Sequence, residues 1–156
     1  MNIAYSILFI VSFFAAYNSL MLLIGLMSDY GLYPMEFNIF GLIGFLLVLV
    51  AWVIALTAFI KNRNSILYKS NKLEMYHRSI SFALYLFSLL IMIGASAVLT
   101  YGATQWKQQT LDNTIYIYFI SSGSFAIIAS IFTLLMLYLQ YRSAPSLALA
   151  IFNPRL

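Results

Sequence analysis

The stretch Phe37–Ile60, FNIFGLIGFLLVLVAWVIALTAFI, decides the fold. It contains no Asp, Glu, Lys or Arg, and it exceeds the roughly 18 apolar residues that a helix needs to cross a bilayer. Three further runs share that character: Ile3–Met27, Ser79–Ala103 and Thr114–Tyr141. A backbone in hydrocarbon finds no water to bond, so only helices or closed barrels cross it. Barrel strands alternate polar and apolar residues over about ten positions, and these runs do not. The expectation is an all-α integral membrane protein, a four-transmembrane-helix bundle with short loops and both termini inside. Residues 1–156 then form a single membrane domain, with a basic inner loop over 61–78 and a tail over 142–156.

Composition agrees with this reading. The 156 residues are 63% hydrophobic and 8% charged, whereas soluble domains carry about 25% charged residues. So few charges cannot coat a water-facing surface. There is no cysteine, which removes disulfides, Cys-ligated zinc, iron–sulfur clusters and covalent haem attachment together. The start, Met1-Asn2-Ile3-Ala4-Tyr5, has no basic residue ahead of its apolar run. Secretory signals have a positive first region and a shorter apolar core, so Ile3–Met27 is expected to be a retained span. The net charge of +4 arises from bases beside the spans, which points to lipid headgroups instead of nucleic acid.

Those bases orient the chain. The 61–78 loop, KNRNSILYKSNKLEMYHR, holds Lys61, Arg63, Lys69, Lys72 and Arg78, and the tail adds Arg142 and Arg155. With four spans, that loop and both termini share one side. The other side has Lys107 alone, with Asp29, Glu36 and Asp112. The positive-inside rule then places the termini on the cytoplasmic (or matrix) side. A prokaryotic plasma membrane is expected ahead of a mitochondrial inner membrane. The five loop bases are candidates for contact with anionic lipid. Pro34 can open the second helix, with Glu36 in its first turn. Asn71 and Glu74 have the spacing of a helix N-cap and its reciprocal acid, so the third helix should start near Lys72. That would leave Leu73, Tyr76 and Ile80 as an apolar edge below the bilayer. Tyr30, Tyr33, Tyr101, Trp106, Tyr116 and Tyr118 are expected at the outer interface, and Tyr5, Tyr138 and Tyr141 at the inner one.

Within the spans, chemistry is sparse. No ionisable group is available for a proton relay or voltage sensor. His77 is the only histidine, too few for a bis-histidine haem or a zinc site. No catalytic, cofactor or metal residue is expected, and the chain does not read as an enzyme. Asn18, beside Tyr17, could contact a lipid or quinone carbonyl, or bond to a neighbouring helix as a lone membrane Asn usually does. Small residues form candidate packing seams: Gly44, Ala51, Ala55 and Ala58 on the second helix, and Ser122, Ala126, Ala129 and Ser130 on the fourth. The Ser121–Ser124 run could instead line a pore. Trp52 is placed to fill a packing gap. In the tail, Leu147, Leu149, Ile151 and Phe152 suit a partner subunit or the membrane interface.

Claudin- and tetraspanin-type proteins carry extracellular cysteines that this chain lacks, and four-helix haem proteins need histidines that it does not have. The expected function is a non-catalytic accessory or structural subunit of a larger membrane complex. A respiratory or electron-transfer assembly is the favoured class, with lipids and other integral membrane subunits as partners. The alternatives are a small self-associating channel or carrier for an uncharged solute, and a membrane-organising tetraspan protein.

Overall fold

The computed structural model describes residues 2–28, 35–64, 71–109 and 113–143, with side chains over 3–27, 35–64, 76–108 and 114–141. They form four α-helices: α1 (Asn2–Ser28), α2 (Met35–Asn64), α3 (Asn71–Gln109) and α4 (Asn113–Ser143). Each is long and apolar enough to cross a membrane, as an integral membrane protein requires. The helices outrun the apolar stretches read from sequence, α3 most of all, because polar residues at a span's edge extend a helix into the interface. Glu36 lies in the first turn of α2, and Lys61 and Arg63 lie in its last. Each charge therefore opposes the partial charge of the helix terminus beside it. α3 starts at Asn71, although the side chains of that first turn lie outside the described residues.

The helices form a ring in chain order, α1 against α2, α2 against α3, α3 against α4, and α4 back against α1. The α2–α3 contact is the most extensive of these and α1–α2 the least. Buried positions recur in alternating steps of three and four. On α2 they are Phe37, Gly41, Gly44, Val48, Ala51, Ala55 and Ala58. On α3, Ser81, Tyr85, Ser88, Met92, Ala95 and Leu99 keep the same rhythm. So do Tyr5, Leu8, Ser12, Ala15, Ser19 and Leu22 on α1, and Phe119, Ser122, Ala126, Ala129 and Thr133 on α4. A seven-residue repeat is slightly shorter than two turns of a straight α-helix, so holding it along the seam coils the helices left-handedly.

Polarity runs opposite to that of a soluble bundle. Ser12, Ser19, Ser81, Ser88, Ser122, Thr133 and Gln140 are buried, while Phe13, Ile24, Val53, Leu90, Ile131 and Leu134 are exposed. Helices that are apolar on the outside belong in lipid. Lys61, Arg63 and Arg78 lie together at one end of the bundle, its basic end.

The far end is closed by aromatic rings. Phe37 meets Trp106 at 4.8 Å and Phe119 at 6.3 Å between ring centroids, and all three are buried. Trp106 therefore belongs to the core, not to the outer interfacial belt expected from its place near the span end. It lies seven residues beyond Leu99 on the buried face of α3, and that register overrides proximity to the interface. Tyr5 departs in the same way: it is buried and stacked on Phe59 at 3.8 Å. Tyr101, Tyr138 and Tyr141 are exposed.

Glycine allows the closest approach. A Cβ on Gly44 would stand 2.5 Å from Leu99 Cδ2, whereas one on Gly94 would meet nothing within 4 Å. Gly44→Val should destabilise the bundle by about 1–3 kcal/mol through overpacking. Gly94→Ala should stabilise it by about 0.5–1 kcal/mol by restricting the unfolded chain. Unfolding of both variants in mixed micelles, followed by circular dichroism, measures the difference in sign.

Candidate functional site

Three side-chain hydrogen bonds between helices lie in the basic-end half of the bundle. Ser81 and Ser88, two turns apart on α3, face Ala58 and Ala51, two turns apart on α2. Ser81 Oγ donates to the Ala58 carbonyl at 2.6 Å, and Ser88 Oγ donates to the Ala51 carbonyl at 2.7 Å. Alanine is needed opposite each serine because a larger side chain would hold the hydroxyl away from the backbone. Gln140 Nε2 on α4 donates to Ser81 Oγ at 3.0 Å, so one serine ties three helices together. Tyr85, one turn beyond Ser81, is fully buried. Tyr5 enters from α1, within electrostatic reach of Tyr85. Ser12, two turns deeper on α1, is buried as well.

Several other hydroxyls turn back on their own helices. Ser19 donates to the Ala15 carbonyl, Ser122 to Tyr118, Ser130 to Ala126 and Thr133 to Ala129. In hydrocarbon this return bond satisfies the hydroxyl without help from a neighbouring helix.

The residues singled out from sequence fall into distinct places. Gly44, Ala51 and Ala55 are buried on α2, and Ser122, Ala126 and Ser130 on α4. Tyr17 is 50% exposed on the outer face of α1, with Asn18 half-buried beside it. Both lie apart from the Ser81–Gln140 cluster. Lys61 and Arg78 are half-buried and Arg63 is exposed at the basic end. Lys69, the side chain of Lys72 and the tail residues Leu147, Leu149, Ile151 and Phe152 lie outside the described residues. Ser121 donates to the Ile117 carbonyl, and Ser124 is exposed. Trp52 is half-buried, its ring tilted on Phe9 at 5.3 Å. His77 packs edge-on against Tyr76 at 5.7 Å. Lys107 sits 5.8 Å over the Tyr116 ring, a cation–π contact at the far end. Among the described residues, no three His, Asp or Glu side chains gather where they could hold a metal.

The sequence reading missed the cluster of Ser81, Tyr85, Ser88, Gln140 and Tyr5. Its signal was present in the seven-residue steps Tyr5–Ser12–Ser19, Ser81–Ser88 and Thr133–Gln140. Only the small-residue half of the repeat was recognised.

Ser81→Ala should cost more than Gln140→Met. The first removes both cross-helix bonds at once and takes from the Gln140 amide its acceptor. The second leaves Ser81 bonded to Ala58. A membrane cross-helix bond contributes about 0.6 kcal/mol on average and up to about 1.7, so Ser81→Ala should lose about 1–2 kcal/mol in a detergent unfolding titration. Comparison with known protein families, curated proteins and solved structures finds no significant match.

Proposed function

We propose that the chain is a non-catalytic accessory or structural subunit of a larger membrane complex, and that a respiratory or electron-transfer assembly is the class of complex it fits. One observation carries this reading: the large side chains on the outer faces are apolar or aromatic, while Ser12, Ser19, Ser81, Ser88, Ser122, Thr133 and Gln140 are turned inward. Phe9, Phe13 and Tyr17 make one exposed aromatic row at four-residue spacing on α1, and Phe87, Leu90 and Ile93 crowd the outside of α3. Surfaces of this kind offer neighbours shape and apolar area. The termini and the basic loop are placed on the cytoplasmic side, where Lys61, Arg63 and Arg78 meet anionic headgroups. Leu147, Leu149, Ile151 and Phe152 provide a further apolar segment for a partner.

The channel reading has less support. A path along α4 would need hydroxyls turned into it, and Ser121, Ser122 and Ser130 each donate to a carbonyl of their own helix. The far end of the bundle interior is packed with the buried rings of Phe37, Trp106 and Phe119.

Extraction of the native membrane with a mild detergent, followed by native gel electrophoresis and mass spectrometry, tests the proposal. The chain should migrate in one band with other integral membrane chains and remain with them after crosslinking. Recovery solely as a free monomer, or as a homo-oligomer, would refute it.

A further inference from the structure

The basic-end half of the α1–α2 side holds more hydrogen-bond donors than the protein satisfies. Tyr5 Oη, Ser12 Oγ, Trp52 Nε1 and Tyr85 Oη are all buried with no hydrogen-bond partner. Tyr85 is fully buried, Ser12 is 1% exposed and Tyr5 is 9% exposed. An indole N–H can only donate, and a phenol or serine hydroxyl donates readily. Asn38 Oδ1, an acceptor also without a hydrogen-bond partner, lies near the start of α2, at the opposite end, so it serves none of them. Leaving a buried donor unmet costs about 1–3 kcal/mol, and lipid supplies no water in compensation.

Tyr5 and Trp52 share a seam. Tyr5 stacks on Phe59 and Phe9 tilts on Trp52, so both contacts join α1 to α2. That helix pair has the least extensive contact in the ring. Ser12 lies two turns from Tyr5, about 10 Å along the helix axis. Tyr85 is buried on α3, one turn beyond Ser81. Tyr5 and Ser12 on α1 and Trp52 on α2 run inward from the basic end, while the far end is packed with the rings of Phe37, Trp106 and Phe119.

We propose that this seam binds an amphiphile without net charge through its carbonyl oxygens, which accept from Tyr5, Tyr85 and Trp52. The required chemistry is an acceptor oxygen on an apolar body. A carbonyl supplies lone pairs without bringing a charge to a region that has no ionisable partner for it, and the rings of Phe9 and Phe59 suit an acyl chain or a flat ring. Phospholipid esters and quinones both carry this group. The inference stands apart from the partner-subunit reading, because it concerns the isolated chain.

The test uses the purified full-length protein in detergent. Native mass spectrometry follows binding of two probes without net charge, phosphatidylcholine and decyl-benzoquinone. One of them should bind at about one per chain. Tyr85→Phe and Trp52→Phe keep ring bulk while removing a donor, and each should weaken that binding about tenfold. Tyr138→Phe, exposed toward the basic end of α4, should leave it unchanged. Preference for the phospholipid assigns the ester carbonyl, and preference for the quinone assigns the ring carbonyl. Failure of the wild-type chain to bind either probe would overturn the proposal. So would equal binding by all the variants. Trp52→Phe, on a half-buried ring, supplies the answer if Tyr85→Phe does not fold.

Discussion

In a layer without water, a polar side chain must find its partner within the protein. That constraint organises this bundle. Ser81, Ser88 and Gln140 face inward because only the interior offers carbonyls and hydroxyls to bond. The outer faces are left to Leu, Ile, Val and Phe because lipid favours them there. Burial of apolar area cannot hold such a structure together, since lipid tails are as apolar as leucine. Packing and cross-helix bonds must do it, and both require close approach.

Close approach explains the small residues. Ala51 and Ala58 sit where α3 hydroxyls reach the α2 backbone, and Gly44, another seven residues along, receives Leu99. Each serine–alanine pair also fixes register. Sliding α3 by one residue would carry Ser81 and Ser88 off the Ala58 and Ala51 carbonyls together. Dispersion alone tolerates such a slip, but paired hydroxyls two turns apart do not. A single cross-helix bond is worth only about 0.6 kcal/mol, so the pairs contribute more to specifying one alignment than to stability.

The four helices were legible in the sequence because the property that defines them is hydropathy over long windows, and no charge interrupts it. The small faces of α2 and α4 were also visible, from Gly44, Ala51 and Ala55 and from Ser122, Ala126 and Ser130. The inward face of α3 was not, because in a span that is apolar all round, hydropathy carries no facing information. Trp106 shows the same limit. Depth in the membrane placed it at an interface, whereas its register with Tyr85, Met92 and Leu99 buries it. Gln140 escaped notice for a related reason. Near the end of a span, a polar residue reads as a boundary marker until its facing is known.

The two ends of the bundle differ in a way that the seven-residue repeat alone does not require. At the far end the repeat positions hold Phe37, Phe119 and Trp106, which fill space with rings. At the basic end the equivalent positions hold Tyr5, Ser81, Tyr85 and Gln140. A bundle selected only for packing would gain by replacing Tyr5 and Tyr85 with Phe, which keeps ring volume and removes the cost of burying a hydroxyl. The sequence has 13 phenylalanines, so that residue is freely used elsewhere in the same spans. Phenols kept at two buried positions, on α1 and on α3, argue that the hydroxyls serve a partner other than the bundle itself.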